Sequence, residues 1–395
     1  MASQDWIKPA EQDLAKQFEA QTGIHVDYQI IPADQYPSVL KTKLNSGEAA
    51  DIWEDQSGTS GLVLDNVAQN AVDLTDMAWT KQIDPAVLAQ NSLNGKVYGA
   101  EIWDTVASNY FVLVYNKDIF TKLGLTAPTT FADFEADCAK IKAAGITPVY
   151  EPISDGWHHV LWFPMVGPAF EQAEPGLAAK LNANQTTFAA DANMTTAMSQ
   201  LNDLYAKGYF GDNTLSDTYA DTGKQMASGK FAMTVAPLSE PASIEHDFPT
   251  VKASSFGYFP IPTFDNQLQP VHPAGPSKFI FAKSQHVAEA KAYLDFLTQP
   301  ANLQTLLDNT PAFETLPFPN MKPKWDANQQ EFFTTYQAKT IVYQDAVNYL
   351  NPQWMDLGKD MVSMFTGSMT PADVMKSIDT RRAQQAKAAS DPAWK

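Results

Sequence analysis

Apolar and polar positions fall into two alternating rhythms along the chain. After Pro9, Leu14 and Phe18 lie four apart and Gly23 closes the run, so residues 9–21 predict a helix. Ile24, Val26, Tyr28 and Ile30 then alternate with polar residues, the period of a strand. Tyr36, Leu40 and Leu44 return to helical spacing and stop at Gly47, before a short strand at 51–53 and a small-residue loop at 57–61. The run 109–115 is short, apolar and rich in β-branched and aromatic residues, which predicts a buried strand; Asn116, Lys117 and Asp118 end it.

A second series follows. Phe131, Phe134, Cys138 and Ile141 mark a helix capped by Thr130 and ended by Gly145, and 146–150 reads as a strand. Met194, Met198, Leu201 and Tyr205 give another helix. Residues 231–235, 256–261 and 279–281 read as strands and 288–297 as a helix. The last eighty residues read as wholly helical, with Thr370 and Pro371 as N-cap and first helical residue of the final helix. Strands alternating with helices imply an α/β fold with ligand loops at strand ends.

Composition narrows the function. A chain of 395 residues exceeds one ordinary core and fits two or three domains. Its 27 basic and 45 acidic residues leave a net charge of −18 without a Lys/Arg cluster, which argues against nucleic acid and anionic membranes as partners. The single cysteine, Cys138, excludes an intrachain disulfide and a cysteine-based zinc site, and reads as a small buried hydrophobe. No GxSxG, Walker, HExxH or EF-hand pattern occurs, and the six histidines form no spaced metal set. Met1 is followed by Ala-Ser-Gln-Asp-Trp rather than by the charged and apolar regions of a signal peptide.

Several segments, in order, resemble the sugar-binding family of extracellular solute-binding proteins that serve ABC importers, the maltose-binding-protein-like family. They are Phe-Glu-Ala-Gln-Thr-Gly (18–23), Ala-Ala-Asp-Ile-Trp (49–53), Leu-Val-Tyr-Asn-Lys-Asp-Ile-Phe (113–120), Ser-Gly-Lys-Phe-Ala-Met-Thr (228–234), His-Pro-Ala-Gly-Pro (272–276) and Ala-Tyr-Leu-Asp-Phe-Leu-Thr (292–298). The resemblance implies a two-lobe type II periplasmic-binding-protein-like fold with a helical C-terminal segment and three hinge crossings, near 115–117, 259–263 and 309–313. The lobes would then be 1–115 with 264–312, and 116–263 with 313–395. It also implies an extracellular protein, a membrane-anchored lipoprotein or periplasmic in its precursor. Family members start with an apolar strand before the first helix. Here only Met1 and Ala2 stand in its place, so the first lobe's sheet is expected to lack a strand beside 24–31, by truncation, or to take an equivalent strand from elsewhere.

Sugar recognition needs flat apolar faces to stack on pyranose rings and planar carboxylates or amides to take paired hydroxyls. Loop position and the resemblance together select Asp5, Trp6, Asp55, Gln56, Asp104, Asn109, Trp157, His158, Glu240 and Trp354 as ligand-binding residues. Trp53 reads as core and His159 as structural. The expectation is a monomer that binds an oligosaccharide between its lobes and hands it to an ABC permease, with no cofactor and no covalent chemistry. Two alternatives use the same residues: a cationic ligand such as a polyamine, or a carbohydrate-active enzyme built on a carboxylate pair.

Overall fold

A computed structural model describes residues 1–394. The chain divides into two compact units, Met1–Ala107 with Pro273–Lys324 and Ser108–His272 with Trp325–Lys395. The chain therefore passes between units at 107/108, 272/273 and 324/325, not within 115–117, 259–263 and 309–313. Packing explains the difference. Tyr115 and Phe259 are ring neighbours at 5.7 Å inside the second unit, while Phe313 packs edge-on to Trp103 at 4.9 Å inside the first.

The first unit is built on a three-stranded sheet. Pro276–Ile280 lies in its centre, antiparallel to Ile52–Gln56 and to Gly99–Glu101. Phe279 pairs with Trp53 across one edge and stacks on it at 4.4 Å, so Trp53 is core as expected. On the other edge Phe279 pairs with Gly99, where a β-carbon would stand 2.2 Å from Asn91 Oδ1 and 3.0 Å from the Phe279 ring. Only glycine fits there. Helix Pro9–Thr22 buries Leu14 and Phe18, the latter against Tyr293 and Phe296, and ends at Gly23 in the left-handed region.

The alternation at 24–30 yields a ladder only at Ile30–Ile31, which pairs in parallel with Ala2–Ser3. Ile24, Val26 and Tyr28 still turn inward, half-buried against the core, while His25, Asp27 and Gln29 are exposed. A strand needs a neighbour, and the neighbouring segment has only two residues.

The second unit holds a four-stranded sheet ordered Phe256–Phe259, Phe111–Asn116, Phe231–Pro237 and Thr147–Tyr150. The apolar run read at 109–115 is thus an interior strand, with Val112, Leu113 and Val114 fully buried. Helix Phe131–Ala143 buries Phe131, Phe134, Cys138 and Ile141, and its Thr130 cap accepts from the Asp133 amide. Near the C-terminus helix Pro371–Ala388 starts with a Thr370/Asp373 capping box. The C-terminal region is not wholly helical, however. Lys339–Ile341 forms a strand parallel to Gln269–Val271, because β-branched Thr340 and Ile341 find a free edge to pair with. Among the described residues no helix is long and apolar enough to cross a membrane.

Candidate functional site

In the second unit the loop leaving strand Thr147–Tyr150 carries an aromatic group. The indole of Trp157 meets Tyr219 at 4.9 Å, His158 at 5.2 Å and Phe111 at 6.3 Å, each edge-on. Trp354, at the start of helix Trp354–Phe365, donates its indole N–H to the Trp157 carbonyl at 2.9 Å. Both tryptophans and Phe111 remain partly exposed. The Tyr219 segment is held by its amide, which donates to Asp155 Oδ2 at 2.5 Å. Three distant parts of the chain therefore bring Trp157, Tyr219 and Trp354 together.

His158 supports this group from below. It is fully buried, with Nδ1 2.6 Å from Glu151 Oε1 and Nε2 2.8 Å from the Val235 carbonyl. Trp162 donates to the other Glu151 oxygen at 2.7 Å. With both ring nitrogens engaged inside the protein, His158 fixes Trp157 and Tyr219 and does not itself face a ligand. That corrects the expectation for this residue.

Glu240 opens helix Glu240–Asp247. Burial pushes its carboxyl up to about 7, and the nearby His158 offsets only part of that rise. A raised pKa means that the folded chain keeps a proton that the unfolded chain releases. The associated stability is complete below about pH 4.3, the unfolded value, and is lost as pH rises through about 7. Glu240→Gln should remove this dependence. Its melting temperature relative to the parent should be higher at about pH 8 than at about pH 5; an equal difference at both values would contradict the assignment.

In the first unit the edge strand Ile52–Gln56 delivers Asp55 and Gln56. Burial raises the carboxyls of Asp55 and its neighbour Asp65, Asp55 to about 6 and Asp65 well above its usual range. Gln56 Oε1 is buried without a hydrogen-bond partner, an acceptor awaiting a donor. Trp6 packs edge-on to Tyr36 at 5.4 Å, and the Tyr36 hydroxyl donates to the Glu54 carbonyl, one residue before Asp55. Asp5 is exposed, and its carbonyl accepts from Lys8 Nζ at 3.0 Å.

Asp104 is a second correction. It is fully buried, and its two oxygens accept four backbone amides: Val106 at 2.9 Å, Ala107 at 2.8 Å, Glu314 at 2.7 Å and Thr315 at 3.1 Å. Those bonds use its acceptor capacity to tie two segments of the first unit. Asn109, in the second unit, is buried and donates to the His272 carbonyl at 3.2 Å. The sequence reading missed Phe111, Tyr219 and Asp65. Phe111 lies in the apolar run read as a strand, but for all three only the fold reveals which residues they meet. Among the described residues no group of three His, Cys, Asp or Glu is arranged to hold a metal.

Comparison with known proteins accounts for this architecture. The chain is 23% identical over 377 residues to the melibiose/raffinose/stachyose-binding protein of Bacillus subtilis, covering 92% of this chain and 84% of that one. It is 25% identical over 301 residues to the multiple sugar-binding protein of Streptococcus mutans, covering 75% and 69%. Among solved structures, a Bacillus licheniformis sugar transporter in complex with stachyose superposes with a TM-score of 0.78 at 18% identity, over 98% of this chain and all of that one. A raffinose complex of the solute-binding protein RafE gives 0.71 at 20% identity, over 97% and 98%. The shared fold is the α/β type II fold of solute-binding proteins. The family model of the bacterial extracellular solute-binding proteins matches residues 4–304, well over half of the length, and the chain belongs to that family.

Proposed function

We infer that this protein binds an oligosaccharide and delivers it to the permease of an ABC importer. The observation that carries the reading is the aromatic group of Trp157, Tyr219 and Trp354, partly exposed and locked from beneath by buried His158 and Glu151. Such rings offer rigid apolar faces to pyranose rings at little entropic cost. Asp55 and Gln56, a carboxylate beside an amide oxygen without a partner, suit paired hydroxyls. Relatives named for melibiose, raffinose and stachyose support the same ligand class.

On this reading the protein acts as a monomer outside the cytoplasmic membrane, lipid-anchored or periplasmic. It works by binding alone: the ligand stabilises one state, which the permease recognises. A thermal-shift screen against di- to pentasaccharides tests it, since a ligand of the folded state raises stability by RT ln(1 + [L]/Kd). A concentration-dependent rise with at least one oligosaccharide is expected. No shift across raffinose, stachyose and their shorter and longer analogues would overturn the reading.

A further inference from the structure

We propose that Gly156, Gly358 and His159 are positioning residues for oligosaccharide binding. They clamp helix Trp354–Phe365 onto the loop that carries Trp157, and so hold the Trp157 and Trp354 rings as one rigid platform. The inference rests on the sugar reading of that aromatic group and adds what sets its shape.

Three ties join helix and loop, all inside the second unit. The Trp354 indole N–H donates to the Trp157 carbonyl at 2.9 Å. One turn along the helix, Gly358 lies on the same face as Trp354, and there the backbones themselves meet. A β-carbon on Gly358 would stand 1.9 Å from the Gly156 carbonyl oxygen and 3.1 Å from its carbon. An ordinary carbon-to-oxygen contact is about 3.3 Å, so any side chain there forces helix and loop apart by roughly 1 Å or more. The third tie is the His159 Nε2–H, donated to the Gly358 carbonyl at 2.9 Å.

The loop is shaped to receive the helix. Gly156 has φ +79°, in the left-handed region, and a β-carbon on it would come within 3.1 Å of Met355 Cε. Its amide donates to the Ile153 carbonyl at 3.0 Å, and the Ser154 amide donates to the Asp217 carbonyl at 3.1 Å. His159 is fully buried, and burial lowers its pKa and keeps the ring neutral. A carbonyl only accepts, so the one ring hydrogen sits on Nε2. Nδ1 is then left buried with no hydrogen-bond partner among the described residues. An orphaned acceptor is costly, and the fold carries it with Nε2 fixed on the helix backbone.

The clamp has a consequence for recognition. With its N–H consumed by the loop, Trp354 offers a ligand its ring faces alone. Stacking depends on where those faces sit. A platform already in place loses little freedom on binding, whereas a shift of about 1 Å misaligns it.

Titration calorimetry with stachyose and raffinose on the whole protein tests the proposal. Gly358→Ala should bind about tenfold or more weakly than the parent. With isotope-labelled tryptophan, the Trp354 indole N–H resonance, identified by its loss in Trp354→Phe, should shift and exchange faster in that variant. Val374→Ala truncates the buried core of helix Pro371–Ala388 in the same unit. It should lower the melting temperature and leave affinity unchanged, which separates positioning from general destabilisation. His159→Leu should weaken binding about threefold or more, and His159→Gln, whose amide can donate to the same carbonyl, should restore it. That pair decides the matter where Gly358→Ala does not fold. A parent that binds either sugar, with Gly358→Ala or His159→Leu binding as tightly, overturns the positioning role and leaves the sugar reading standing. A parent that binds no oligosaccharide overturns both.

Discussion

Replacing Lys278 by methionine should destabilise the first unit by about 3–5 kcal/mol. Lys278 is nearly inaccessible and bonds two equally buried carboxylates, Glu11 at 3.0 Å and Glu54 at 2.8 Å. Burial works against the ammonium, but Glu11 and Glu54 together outweigh it and hold its pKa above the ordinary lysine value. Glu54 is raised by burial even with Lys278 present. Without the lysine, two like charges would stand unpaired inside the unit, next to Tyr28 and Tyr293, whose hydroxyls meet at 2.7 Å. A melting transition lower by roughly 6 to 20 °C follows for a unit of this size. Combining Lys278→Met with Glu11→Gln and Glu54→Gln should recover most of the loss, because the cost lies in the orphaned charges rather than in the missing pair. Calorimetric melting of the single and triple variants checks both statements. A Lys278→Met protein as stable as the parent would contradict them.

The second large effect concerns affinity. Trp157→Ala and Trp354→Ala should each weaken oligosaccharide binding by about 5- to 150-fold, the equivalent of about 1–3 kcal/mol for one aromatic face lost from a sugar ring. Trp157 should also disturb its neighbours, since Tyr219 and Phe111 both pack edge-on to it. Trp354→Phe keeps a ring but loses the N–H donated to the Trp157 carbonyl, so its loss should be intermediate. His25→Ala, an exposed residue of the first unit, should leave affinity nearly unchanged. Titration calorimetry on the four variants decides the matter, and parental affinity in both alanine variants would remove these tryptophans from the site.

The comparison of sequence with structure shows where local pattern suffices. Helix Phe131–Ala143 was readable because its cap, its buried stripe and its terminating glycine all lie within sixteen residues of one another. The strand Phe111–Asn116 was readable because a buried interior strand has no polar face to mask it. Asp104 was misjudged for the opposite reason. A carboxylate beside an aromatic looks the same in sequence whether it serves hydroxyls or backbone amides, and two of the amides it binds lie 210 and 211 positions away. His158 likewise depends on a carbonyl 77 positions on. The places where the chain passes between units were displaced for a related reason: alternation identifies a strand at Phe256–Phe259, but only pairing with Phe111–Asn116 assigns it to a unit.

Titration calorimetry of the purified protein with stachyose or raffinose, repeated at low and high salt with the solution assayed for hydrolysis afterwards, tests the central claim most directly. Neutral sugars form no ion pairs with the protein, so the account predicts saturable binding to one site whose affinity barely changes with salt, and recovery of the oligosaccharide intact. No binding of either sugar, combined with salt-sensitive binding of a polyamine such as spermidine or with cleavage of the oligosaccharide, would contradict it.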